Sequence, residues 1–112
     1  MYDKRRVKKP TECITLDYIL SKVTEYDIYA HYLGQFKVGA IYNSPFRKDK
    51  NPSFGVYYSK RTKQLLFKDH GTGEWGNVIK FVSLFTGITN YNDILKDIIK
   101  QLHITPNTTL DN

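Results

Sequence analysis

The sequence predicts an α+β domain in which helices flank a small antiparallel sheet. Three observations predict it. Apolar residues recur at helical spacing toward both ends of the chain. Short stretches that alternate apolar and polar residues occupy the middle. The turns joining those stretches are too short for parallel pairing, which needs a crossover of a dozen or more residues.

The elements follow in order. Residues 1–11 are basic and lack periodicity, so a loose basic arm is expected over 1–14, ahead of a folded domain at 15–104. Leu16, Ile19, Leu20 and Val23 keep the spacing of a first helix. Thr24 and Asp27 stand as a capping box for a second helix carrying Ile28, Tyr29, Tyr32 and Leu33, which Gly34 is placed to end. The stretch QFKVGAIY (35–42) reads as a strand, and the polar run from Ser44 to Pro52 as a loop. Phe54, Val56 and Tyr58 alternate on one face of a second strand and are expected in the core, with Tyr57 on the opposite face. Ser59 to Thr62 makes a hairpin turn into a third strand at 63–68. Asn77 caps a helix over 78–86 that stops at Gly87. Asn90 and Asp93 announce a last helix through Ile94, Leu95, Ile98, Ile99 and Leu102, followed by a polar tail at 105–112.

Composition bounds the function. The chain has 112 residues, 17 basic and 11 acidic, for a net charge of +6. All of the excess lies in residues 37–68, where Lys37, Arg47, Lys48, Lys50, Lys60, Arg61, Lys63 and Lys68 face the single acid Asp49. Such a block suits a polyanion, although a basic surface also serves solubility. The single Cys13 excludes an internal disulfide and a cysteine-rich metal site. No apolar run approaches the length of a membrane span, and neither a signal peptide nor a membrane partner is expected. A cytoplasmic location is expected.

The stretch DHGTGEWGN (69–77) places Gly71, Gly73 and Gly76 in a G-x-G-x-x-G pattern between an apolar run and a helix. A dinucleotide site would need a second parallel strand after that helix. None follows, and Asp93 and Asp97, at the right distance for the ribose acid, fall inside a helical pattern. A P-loop lacks its Lys-Ser or Lys-Thr. His31, His70 and His103 share no ligand spacing with Cys13 or each other, and Asp69 with Glu74 suits a cap and a surface charge better than a metal pair. His70 is placed either to touch a phosphate or a base or to stabilise its loop.

Aromatics interleave with the basic block. Phe46, Phe54, Tyr57, Tyr58 and Phe67 sit among its cations, the composition of a single-strand platform on which rings stack against bases. Tyr57 is the best stacking candidate. Phe46 could anchor its loop, and Trp75 is either a lid over the sheet or a further stacking ring.

Two spans carry a family resemblance. YNSPFRKDKNPSF (42–54) and FKDHGTGEWGNVIKFV (67–82) resemble the N-terminal zinc-ribbon domain of bacterial and phage DNA primases, which reads roughly C-P-F-H-x-E-K-x-P-S-F and then Y-H-C-F-G-C-G-x-G-G-D-V-I-x-F-V. The resemblance covers about residues 25–103. It implies a primase-type zinc ribbon, yet the positions of the four zinc ligands hold Ser44, Arg47, Asp69 and Thr72. A guanidinium has no lone pair to give a metal. A zinc-free form, with no cofactor, is therefore expected. We expect an Arg47–Asp69 ion pair in place of the metal, with Ser44 and Thr72 hydroxyls adding hydrogen bonds; the alternative leaves both charged side chains in solvent over a better-packed core.

The resemblance further implies a non-catalytic domain that recognises single-stranded template DNA in replication, through Arg47, Lys48, Lys50, Tyr57, Lys60, Arg61, Lys63 and Lys68. Its partners would be single-stranded DNA and a replicative helicase or a separate primase polymerase domain. The competing expectation is a stand-alone interaction module that docks on a replication or defence factor.

Overall fold

The computed structural model describes residues 14–48 and 51–105. The expected arm before residue 14, Cys13, Lys50 and the tail beyond residue 105 lie outside them. The elements are α1 (Leu16–Leu20), α2 (Glu25–Leu33), β1 (Ile41–Tyr42), β2 (Phe54–Ser59), β3 (Gln64–Asp69), β4 (Trp75–Gly76), α3 (Val78–Thr86) and α4 (Tyr91–Gln101). The strands form one antiparallel meander in the order β1-β2-β3-β4, so the α+β architecture with helices at both ends is the observed one.

Local chemistry sets the helix ends. The Thr15 hydroxyl accepts from Tyr18 N–H and starts α1. Thr24 and Asp27 form a complete capping box on α2, and Gly34 ends it at φ 85°. The Asn77 side chain accepts from the N–H groups of Ile79 and Lys80, and Asn90 does the same for Asp93. Gly87 closes α3 in the left-handed region, where a side chain would be strained.

The core lies between the inner sheet face and α2, α3 and α4. Phe81 of α3 is fully buried, with ring contacts to Tyr29, Tyr32, Phe46, Phe54, Phe67 and Phe85. Ile94, Leu95, Ile98 and Ile99 form the buried stripe of α4. Beyond β4 the upper edge of β3 is covered by α2. Glu25 accepts from Leu65 N–H at 2.9 Å, and the Tyr29 hydroxyl donates to Leu65 C=O at 2.9 Å. Those contacts satisfy backbone groups that a bare edge strand would expose.

Four details differ from the expectations. The first strand is confined to Ile41–Tyr42, because Gly39 at φ 90° and a turn from Ala40 N–H to Lys37 C=O interrupt 35–40. The short strand β4 was not anticipated, since two residues carry no alternation. The third strand runs one residue further, through Asp69, after a turn in which Lys63 takes φ 59°. Tyr58, expected in the core, is 54% exposed, because it lies at the last inward position before the hairpin turn.

Truncating the central ring tests this packing. Phe81→Ala is expected to lower the unfolding free energy by roughly 3–5 kcal/mol, whereas Tyr58→Ala should change it by less than about 1 kcal/mol; urea titrations of both variants check the contrast.

Candidate nucleic-acid interface and its anchoring ion pair

Two loops meet at one end of the sheet. The first joins β1 to β2, and the second, 69–74, turns β3 into β4. The first loop is held by Phe46, whose ring packs on Phe54, Phe67 and Phe81 at 5.6–5.7 Å. Phe46 therefore anchors the loop. Its N–H donates to the buried Ser44 hydroxyl, and the resulting turn carries Arg47 toward β3.

The second loop begins at Asp69, the last residue of β3, whose side chain is fully buried. Asp69 Oδ1 accepts from Arg47 Nη2 at 2.7 Å and from Gly71 N–H at 2.9 Å, with longer contacts from Thr72 N–H and Ser53 Oγ at 3.3 Å. Arg47 Nη2 also donates to Ser53 Oγ at 3.0 Å. His70 N–H bonds Ser53 C=O at 2.7 Å. The turn closes on itself through Gly73 N–H to Asp69 C=O and Asp69 N–H to Glu74 C=O. The expected Arg47–Asp69 pair is thus formed, and it ties one loop to the other.

The pair explains Gly71. A Cβ there would overlap Arg47 Nη2 and come within 3.2 Å of Asp69 Oδ1. Only glycine lets the guanidinium lie against this backbone. The first glycine of DHGTGEWGN makes room for an arginine, and Gly73, at φ 84°, supplies the left-handed turn.

Burial pushes the Asp69 carboxyl up. Hydrogen bonds from Arg47, Ser44 and Gly71 N–H, with the guanidinium charge, more than reverse that effect and hold it at about 2, below the ordinary 3.8. A buried carboxylate without these partners would be strongly destabilising.

The four positions that the resemblance assigns to zinc ligands do converge, and their chemistry does not fit zinc. Arg47 cannot ligate. The Thr72 hydroxyl, expected to bond across the loops, instead accepts from Glu74 N–H within its own turn, because its backbone N–H is the group that reaches Asp69. Asp69 is the single carboxylate among the four, and zinc requires three or four N, S or O ligands. No group of three or more His, Cys, Asp or Glu side chains comes together among the described residues.

The outer sheet face presents the other candidate residues. Register places Ile41, Gly55, Lys68 and Trp75 in one row across the four strands. Lys68 thus stands opposite Trp75 and diagonal to Tyr57, on the order of 5 and 7–8 Å away respectively. Trp75 is 57% exposed and Tyr57 39% exposed. Of the two possibilities for Trp75, a lid over the sheet is excluded by this exposure. Lys60, Arg61 and Lys63 are exposed on the β2–β3 turn, and Lys48 is exposed beside Arg47. Arg47 itself is committed to Asp69, with a third of its side chain accessible. Trp75 is absent from the interface expected from sequence; the signal that could have placed it is its position opposite Lys68, which required β4 to be recognised.

The histidines stand apart from one another. His31 Nε2 is 3.0 Å from Gln101 Oε1 on the helical surface, His103 follows α4, and His70 is exposed in the turn.

Residues 11–112 match a family model described as the CHC2 zinc finger. The chain is 37% identical over 83 residues to the DNA primase of Aquifex aeolicus (strain VF5), across 72% of this chain and 16% of that protein. The chain thus spans a small part of the curated relative's length. No solved structure matches.

The pair has a pH signature. The unfolded carboxyl titrates near its ordinary 3.8 and the folded one near 2, so Asp69 contributes roughly 2 kcal/mol that is fully present above about pH 5 and lost as pH falls through 3.8 toward 2. The acid limb of the stability curve should flatten in Asp69→Asn; identical limbs in the two proteins would remove Asp69 from the account. Gly71→Ala should destabilise by at least about 2 kcal/mol at neutral pH through displacement of the guanidinium, which thermal melting measures.

Proposed function

This chain belongs to the CHC2 zinc-finger family of DNA primase zinc ribbons, and from that premise we propose that it recognises single-stranded template DNA during replication and is not itself catalytic. The observation that carries the proposal is the outer face of the sheet, where exposed Tyr57 and Trp75 flank Lys68 beside the cationic β2–β3 turn. Bases stack on such rings for about 1–3 kcal/mol each, and the cations hold the intervening phosphates. Lys60, Arg61 and Lys63 on the β2–β3 turn, and Lys48 on the β1–β2 loop, add positive charge at the two ends of the strands.

Arg47 acts differently from the other cations. Its guanidinium fixes the loop that presents Lys48, and its own contact with phosphate is secondary. The non-catalytic assignment concerns this domain, and it is supported by the family match, which is to the zinc ribbon of primases over residues 11–112. Primer synthesis would then fall to a separate polymerase domain, with a replicative helicase as a further partner.

Trp75 is the chain's single tryptophan, so intrinsic fluorescence reports on this face directly. Oligo-dT should quench it, with an affinity that falls steeply as salt rises. Trp75→Ala and Tyr57→Ala should each weaken binding by roughly 1–3 kcal/mol. Quenching absent at low salt, or an affinity indifferent to salt, would contradict the proposal.

A further inference from the structure

A cavity of about 190 Å³ lies behind the free edge of β1, on the side of the sheet away from Trp75. Its walls include the rings of Tyr32, Phe36, Tyr42 and Phe54, with apolar Leu33 and Pro45, and Gln35 and Asn43 add two amides to its lining. Tyr32 is already committed, since its hydroxyl donates to Asp97 at 2.7 Å. The Tyr42 hydroxyl accepts from Lys37 N–H at 2.8 Å, which leaves its own proton to donate. Gln35 and Asn43 are both exposed, and neither amide has a hydrogen-bond partner among the described residues. Among the described residues, no acidic side chain lines the cavity.

We propose that this cavity takes one unstacked nucleobase of a bound single strand, read by the Gln35 and Asn43 amides. Aromatic walls with one or two free amides match what a splayed base needs. The ring faces stack, and an amide offers one donor and one acceptor to a base edge. The volume is below the roughly 300–1,000 Å³ of sites for drug-sized ligands, so a single base suits it better than a larger molecule. The surroundings favour a polyanion, with exposed Lys37 on one side and Lys48 on the loop that leaves Asn43.

The position also fits. Ile41 and Tyr42 are successive residues of β1, with Ile41 on the outer row and Tyr42 on the cavity side. β1 is the edge strand, so a nucleic-acid strand crossing the outer row can turn over that edge and deliver its next base behind it. The proposal rests on single-strand binding by the outer face and adds base discrimination to it.

The test compares the parent with the double variant Gln35→Ala/Asn43→Ala, using oligo-dA, oligo-dC and oligo-dT and Trp75 fluorescence. The parent should prefer one homopolymer by at least about fivefold, the lower end for a good amide–base contact. The double variant should bind all three within about twofold of one another while keeping its quenching and salt dependence. A parent that quenches with all three equally, or a variant that keeps the parent's preference, overturns the cavity assignment and leaves the outer-face proposal intact. A parent that binds none of them overturns both. Circular dichroism on the variant confirms that two exposed amides were removed without unfolding the chain.

Discussion

A carboxylate with no access to water must be satisfied on the spot, and the loop end of this domain is organised around meeting that requirement for Asp69. The charge is buried at the last position of β3. Its Oδ1 gathers four donors: a guanidinium from the opposite loop, two backbone N–H groups of its own turn and the hydroxyl of Ser53, just ahead of β2. The donors come from three segments: the β1–β2 loop, the residue that leads into β2 and the turn after β3. Satisfying one buried charge therefore fixes two loops and the approach of β4. Sequence choices that look unrelated follow from it, including Gly71, which leaves room for the guanidinium, and Phe46, which holds the loop that delivers it.

In a zinc ribbon, metal–ligand bonds join the same two loops, and their formation is coupled to folding. Here the cross-link is made of charge-assisted hydrogen bonds, which are weaker individually and are directional. The compensation lies in the core beneath. Phe46, Phe54, Phe67 and Phe81 bring the roots of both loops together independently of the ion pair. The same cross-link bears on the proposed nucleic-acid face, because the turn that Asp69 closes is the segment that carries the chain into Trp75.

Much of this was legible in the sequence where a single residue type has one local use. The capping residues Thr24, Asn77 and Asn90 and the terminating glycines Gly34 and Gly87 sit where side-chain oxygens and left-handed backbone are required, and the structure uses them so. The Arg47–Asp69 pair was legible because the family motif aligns two residues of opposite charge at positions that must converge. Other features depend on tertiary placement. Alternation marked Tyr58 as inward, yet nothing in it says where the covering layer ends. QFKVGAIY has the composition of a strand, but Gly39 breaks it in three dimensions. β4 pairs over two residues, too few for a periodic signal, and with it went the place of Trp75. Thr72 was assigned a role for its hydroxyl, whereas the turn geometry uses its backbone N–H. The cavity behind β1 gathers residues from α2, the following loop, β1 and β2, and no local pattern announces it.

The central claim is that Arg47 and Asp69 act as one cross-link. A double-mutant cycle measures this most directly, with unfolding free energies for the parent, Arg47→Ala, Asp69→Ala and the double variant in the presence of a chelator. The account predicts a coupling energy of about 2 kcal/mol or more, with the double variant scarcely less stable than Asp69→Ala alone. Additivity within about 0.5 kcal/mol would show that the two charges contribute separately, and would contradict the claim that their contact holds the loops together.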